Sequence, residues 1–130
     1  RGLIRSLPRL FAIQAANAGP YYAAYAAGGD TPVEIIAKPT IADGIASARP
    51  IRLREVLGAV RDTGGTIIAV TEEEIVSALR GFTKRGFFVE PTTAAAGAGL
   101  SKLIAGGAAD HGGDFDRFGP EGGRPDRQGP

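Results

Sequence analysis

No cysteine, methionine or tryptophan occurs among the 130 residues, and there is one histidine, His111. Without cysteine there is no disulfide framework, thiolate metal cage or thiol nucleophile. A single histidine gives little support to His-rich zinc sites or to Ser-His catalysis. His111 has no second ligand nearby in the sequence, so no metal site is expected. Charge of one sign is lacking as well: 15 Lys+Arg stand against 14 Asp+Glu, a formal net charge of +1. That balance supplies no field to hold nucleic acid or an anionic membrane face. No apolar run approaches the roughly 20 residues needed to cross a bilayer. The chain does not begin with Met and shows no signal-peptide layout. The expectation is a soluble, cytoplasmic α/β segment cut from something longer.

What is abundant is glycine, 20 residues, together with 9 prolines. Their distribution is uneven. Residues 1–105 are dense in Ala, Val, Ile and Leu. Residues 106–130 hold 8 Gly, 3 Pro and 8 charged residues, with no aliphatic residue larger than Ala. Such a stretch buries too little apolar surface to offset its ordering entropy. The sequence therefore divides into a folded portion over residues 1–107 and a disordered tail over 108–130.

The folded portion reads as alternating strands and helices. Leu10-Phe11-Ala12-Ile13 is a buried strand. Asn17 to Ala27 is a short helix, with Pro20 in its first turn and Gly28-Gly29 ending it. Gly29 to Pro39 is a connection. Pro50 to Thr63 is an amphipathic helix: Leu53, Val56, Leu57 and Val60 share one face. Thr66 to Val70 is a parallel strand. Thr71, with Glu74 three residues on, is a capping box opening a helix whose apolar face is Ile75, Ala78, Leu79 and Phe82. Phe87-Phe88-Val89 is a third short strand, and a helix runs on from about Thr92 to Ala105. Strand-helix alternation with short connections predicts a three-layer α/β sandwich on a mostly parallel sheet. Three strands are few for such a sheet, which implies partner strands elsewhere.

Ligands of open parallel sheets bind beyond the carboxyl ends of the strands. Gln14 and Asn17, Thr71, and Glu90 hold those places. Thr71 reads as a cap, and Gln14 and Asn17 read first as turn and cap residues. Glu90 is either a dipole-stabilised cap or a pocket wall. Gly44, in Ile41-Ala42-Asp43-Gly44-Ile45-Ala46, is either a turn glycine or a place where backbone approaches a planar ligand; the turn is the simpler reading. Lys84 and Lys102 fall near helix ends, where cations suit the dipole. Neither they nor Lys38 has an arguable desolvated pocket. No catalytic residue and no phosphate-loop or zinc-protease motif is identified.

Several of these stretches, taken in order, resemble one family. They are Leu7-Pro8-Arg9-Leu10 into Ile13-Gln14-Ala15, Gly19-Pro20, Ile41 to Ala46, Arg52 to Gly65, Val70 to Ile75, and Phe88-Val89-Glu90-Pro91-Thr92-Thr93-Ala94-Ala95. Over residues 1–107 they look like the C-terminal part of the threonine synthase family, within the fold-type II pyridoxal-phosphate enzymes. The resemblance implies a partial large domain of such an enzyme and a pyridoxal 5'-phosphate cofactor. The reaction it implies for an intact enzyme converts O-phospho-L-homoserine and water to L-threonine and phosphate, with an amino-acid substrate and a homo-oligomeric assembly. It implies that Gly44 sets backbone against the cofactor ring and that Glu90 lies near its pyridine end. The family's covalent lysine and phosphate loop would lie upstream of residue 1. Gln14 stands where several dehydratases and racemases carry a cation-holding Glu, which favours the threonine synthase branch. A threonine or serine dehydratase and a non-catalytic α/β interaction module are the alternatives. Where the family carries a Thr-Gly-Ser/Thr-Gly turn, residues 112–120 read differently, and a frameshift would account for that.

Overall fold

The computed structural model describes residue 4 and residues 7–107. The expected tail, His111 and the frameshift stretch lie outside the described residues. Strand β1 (Phe11–Ala15) and strand β2 (Thr66–Val70) pair in parallel, Phe11 opposite Thr66 and Ala15 opposite Val70. Between them run a 3-10 turn (Ala16–Ala18), helix α1 (Pro20–Ala26), a second 3-10 turn (Asp43–Ile45) and helix α2 (Leu53–Asp62). Helix α3 (Glu72–Lys84) and helix α4 (Pro91–Ala105) come after β2.

The pleat sorts the sheet residues into two cores, because successive side chains leave a strand on opposite faces. Ala12 and Ile67 pack with Ala24 of α1 and with Leu53, Leu57 and Val60 of α2. Ile13, Ala15, Ile68 and Val70 pack on the other face with Ile75 of α3 and with Ala94, Ala95, Ala98 and Leu103 of α4. Helices thus cover both faces, the three-layer α/β arrangement that a parallel sheet requires. The apolar faces expected for α2 and α3 are the ones turned to the cores: Leu53, Leu57, Val60 and Ile75 are buried, and Val56, Ala78, Leu79 and Phe82 are half-buried.

Local chemistry places the boundaries. Thr71 closes the full capping box: its Oγ1 accepts from Glu74 N at 3.3 Å, and Glu74 Oε2 accepts from Thr71 N at 2.7 Å. α2 and α3 end on glycines in the left-handed region, Gly64 (φ 65°) and Gly86 (φ 83°). After each, the next amide reaches back to the last turn, Gly65 N to Val60 O and Phe87 N to Phe82 O, closing a Schellman motif. Helix α1 starts later than expected, at Pro20, because residues 16–18 take a 3-10 turn first. Helix α2 starts at Leu53 and leaves Pro50 outside.

One expected element is corrected. Phe87-Phe88-Val89 is not a strand: among the described residues the sheet has two strands, and Phe88 is 100% exposed. A strand exists by virtue of its ladder partner. With the Phe87 amide drawn back to Phe82 by the α3 cap and no strand alongside, the segment is only a connection.

Candidate functional site at the carboxyl edge of the sheet

The parallel strands end together at Ala15 and Val70, and the residues just beyond them build the edge. Gln14, near the end of β1, and Asn17, just beyond it, turn in different directions. Gln14 is buried and its Oε1 accepts from Tyr22 N at 2.9 Å, taking up an amide left open in the first turn of α1. Asn17 points to the connection: its Nδ2 donates to Pro39 O at 2.7 Å, while its own carbonyl accepts from Lys38 N at 2.8 Å. Both serve the backbone: Asn17 lies inside the 3-10 turn and ties the connection rather than capping a helix, and it is Gln14 that takes up an open amide of α1.

After β2, Glu72 opens α3 and its Oε2 accepts from Ile41 N at 2.9 Å. Its Oε1 is buried with no hydrogen-bond partner. The Glu73 carboxyl is held below its ordinary pKa by a backbone hydrogen bond and then by the Thr71 hydroxyl. Lys102, expected to serve the α4 dipole, reaches instead across to β2 and α3. Its Nζ donates to Ala69 O at 2.8 Å and pairs with Glu74 Oε2 at 2.8 Å.

Of the two residues singled out for the cofactor, Gly44 meets the first turn of the helix that Glu90 precedes. Gly44 lies in the second 3-10 turn, and a Cβ placed on it would sit 2.8 Å from Thr92 Oγ1. Thr92 is in the first turn of α4, which begins just after Glu90. So Gly44 abuts the start of α4 where only a glycine fits without displacing Thr92, and its backbone stays exposed. The Glu90 carbonyl accepts from Ala94 N at 3.1 Å, but its exposed carboxylate makes no capping hydrogen bond. Glu90 stands at the N-cap position of α4, and its carboxylate takes part in no side-chain capping bond.

Sequence reasoning misses Glu72. The letters place it only among three acidic residues suited to a helix N-terminus, and nothing local pairs it with Ile41. A groove of about 660 Å³ between α3 and α4 includes neither Gly44 nor Glu90, and two of its lining residues, Glu74 and Lys102, already pair with each other. Among the described residues no group of three or more acidic or histidine side chains gathers to hold a metal. Nor is any helix among them long and apolar enough to cross a membrane.

The model of the family "Pyridoxal-phosphate dependent enzyme" matches residues 2–114. Among curated proteins, the threonine synthase of Methanosarcina acetivorans is 36% identical over 104 residues, 79% of this chain and 26% of that protein. The threonine synthase of Methanocaldococcus jannaschii is 37% identical over 110 residues, 84% of this chain and 27% of that protein. The chain thus spans about a quarter of the length of these relatives. Among solved structures, a threonine deaminase from T.th. aligns with a TM-score of 0.56 at 25% identity, covering 77% of this chain and 34% of that one. The serine racemase of Dictyostelium discoideum aligns at 0.57 and 25%, covering 80% and 32%.

Proposed function

Because the chain belongs to the pyridoxal-phosphate dependent enzyme family, we propose that its carboxyl edge forms one wall of the cofactor site in an enzyme of the threonine synthase type. The observation that carries this reading is the meeting of Gly44 with the start of α4 beside Glu90. Two stretches 45 or more positions apart in sequence converge at the one edge where parallel sheets bind ligands.

These residues fit the group. Gly44 presents bare backbone, because its Cβ position is already filled by Thr92, and a flat ring can lie against such a surface. Glu90 offers a carboxylate free of capping duty, suited to receive a hydrogen bond from a protonated ring nitrogen. When bound, pyridoxal phosphate supplies the electron sink for the amino acid's carbanions. This chain's contribution is to orient the ring through Gly44, to place a carboxylate at its far end through Glu90, and to keep the edge rigid through the Thr71–Glu74–Lys102 bonds.

The substrate reading rests on the resemblance and is supported by the 36–37% identity to threonine synthases: O-phospho-L-homoserine, with water, giving L-threonine and phosphate. A homo-oligomeric assembly is what the resemblance alone implies. A dehydratase is the second reading, supported by the likeness to a threonine deaminase at the lower identity of 25%. A chimera tests both. Residues 7–107 replace the matched segment of the full-length Methanocaldococcus jannaschii relative, and the purified protein is supplied with each amino acid. Threonine and phosphate formed from O-phospho-L-homoserine are expected. Formation of a 2-oxo acid and ammonia from threonine instead would move the assignment to the dehydratases. A correctly folded chimera that does neither contradicts the proposal.

A further inference from the structure

The segment 38–45, which carries Gly44, lies across the carboxyl edge like a strap. It contains no strand and no α-helix, only the short turn Asp43–Ile45, and Ala42 is its one fully buried side chain. Ordering such a stretch costs backbone entropy at each residue, with few packing contacts to offset it. Besides the packing of Ala42 and Ile45 against the α3–α4 core, two hydrogen-bonded fixings hold it, one beyond the end of each strand. Beyond β1, Asn17 takes both Lys38 N, at 2.8 Å, and Pro39 O, at 2.7 Å. Beyond β2, the Glu72 carboxylate takes Ile41 N at 2.9 Å, a charge-assisted bond of the stronger kind. The other Glu72 oxygen is buried without a partner, so the carboxylate is drawn in against the protein rather than splayed into solvent.

We propose that Glu72 and Asn17 are positioning residues that latch the strap to the two strand ends and thereby set where the Gly44 backbone meets the cofactor. Neither touches the cofactor. The second half of the statement rests on the reading of Gly44 given above; the latch itself does not. Glu72 is the stronger latch, because its acceptor is ionised and because it stands three residues from Gly44 through Ile41. Asn17 fixes the strap's entry. Replacing the acceptor while keeping the side chain's length frees the Ile41 amide and lets Gly44 drift from Thr92.

The test has two arms. In the full 130-residue chain, amide exchange is measured residue by residue in wild type, Glu72→Gln, which keeps an acceptor, and Glu72→Met, which does not. The Ile41 amide is expected to exchange roughly tenfold faster in E72M and within about twofold of wild type in E72Q, with β2 amides unchanged. Equal Ile41 exchange in all three, or E72Q as fast as E72M, overturns the latch. Should E72M also lose protection in β2, Asn17→Ala decides: it removes the Nδ2–Pro39 O bond that fixes the strap's entry, so faster Ile41 exchange supports the latch and unchanged Ile41 exchange overturns it. In the chimera, E72M is expected to weaken pyridoxal phosphate binding roughly tenfold and E72Q to restore it. Unchanged affinity with a freed Ile41 amide overturns the positioning role. A wild-type chimera that binds no cofactor refutes the reading of the site instead, and leaves the latch to be judged on Ile41 alone.

Discussion

For single residues, a few atoms and their surroundings decide the sign of a substitution. Gly44→Ala puts a methyl 2.8 Å from Thr92 Oγ1, closer than van der Waals contact allows. Thr92 can yield by rotating, so the expected cost is at the low end for overpacking, about 1 kcal/mol in chemical denaturation of the chain. The same substitution made on a Thr92→Ala background should lose at least about half of that penalty, since the pair is in contact. Glu73 gives the pH dependence. Its pKa is lowered in the folded state, so folding favours the ionised form. The stabilisation is present above the ordinary carboxylate range, near about 4.3, and is lost as pH falls through the lowered value. Glu73→Gln should flatten part of the decline in stability below about pH 4.3, by giving up a small stabilisation at neutral pH and changing nothing at the acid end. Legibility here depends on sequence distance. The Thr71–Glu74 box can be read from the letters because its partners are three residues apart. Glu72 cannot, because only the fold brings Ile41 to it, and Lys102 looks like a helix-end cation until β2 lies beside it.

Among the helices and strands, the glycines separate into opposite kinds. Gly99 of α4 faces Ile13 of β1, and a Cβ there would lie 2.7 Å from Ile13 Cγ1. Gly58 of α2 has nothing within 4 Å of that position. Alanine improves helix propensity by about 1 kcal/mol at both sites, but at Gly99 it also overpacks the sheet interface by about 2 kcal/mol. Gly58→Ala should therefore stabilise the chain by about 0.5–1 kcal/mol. Gly99→Ala should destabilise it by about 1 kcal/mol on balance. Equal effects in thermal or chemical unfolding would show that α4 does not need its close approach. Thr71→Ala should cost about 1 kcal/mol through the lost cap of α3. Helices are legible because a 3.6-residue period and its caps are local. The strand expected at Phe87–Val89 is absent because apolar, β-favouring letters state a capacity to pair, and pairing needs a neighbour that those letters do not specify. Pro50 shows the milder version: the periodic face begins at Leu53, and the helix begins with it.

Across the molecule as a whole, the two cores explain why so small a sheet can hold an edge in place. α1 and α2 cover one face and α3 and α4 the other, so the ends of β1 and β2 are fixed from both sides. The strap spans the gap between those ends. The fold class is legible because helix-strand alternation dictates a covered parallel sheet. The convergence of Gly44 on the start of α4 is legible only through resemblance, since spacing alone allows a plain turn. If this converged edge is one wall of a pyridoxal phosphate site, displacing the wall must cost cofactor. The most direct measurement is the cofactor content of the purified chimera, with Gly44→Val alongside as the variant whose side chain drives Gly44 off Thr92 and displaces the wall. About one cofactor per wild-type chain is expected, and a marked loss in the variant, with both proteins equally folded by circular dichroism. Equal cofactor content in the two, or none in either, would contradict the assignment of this edge.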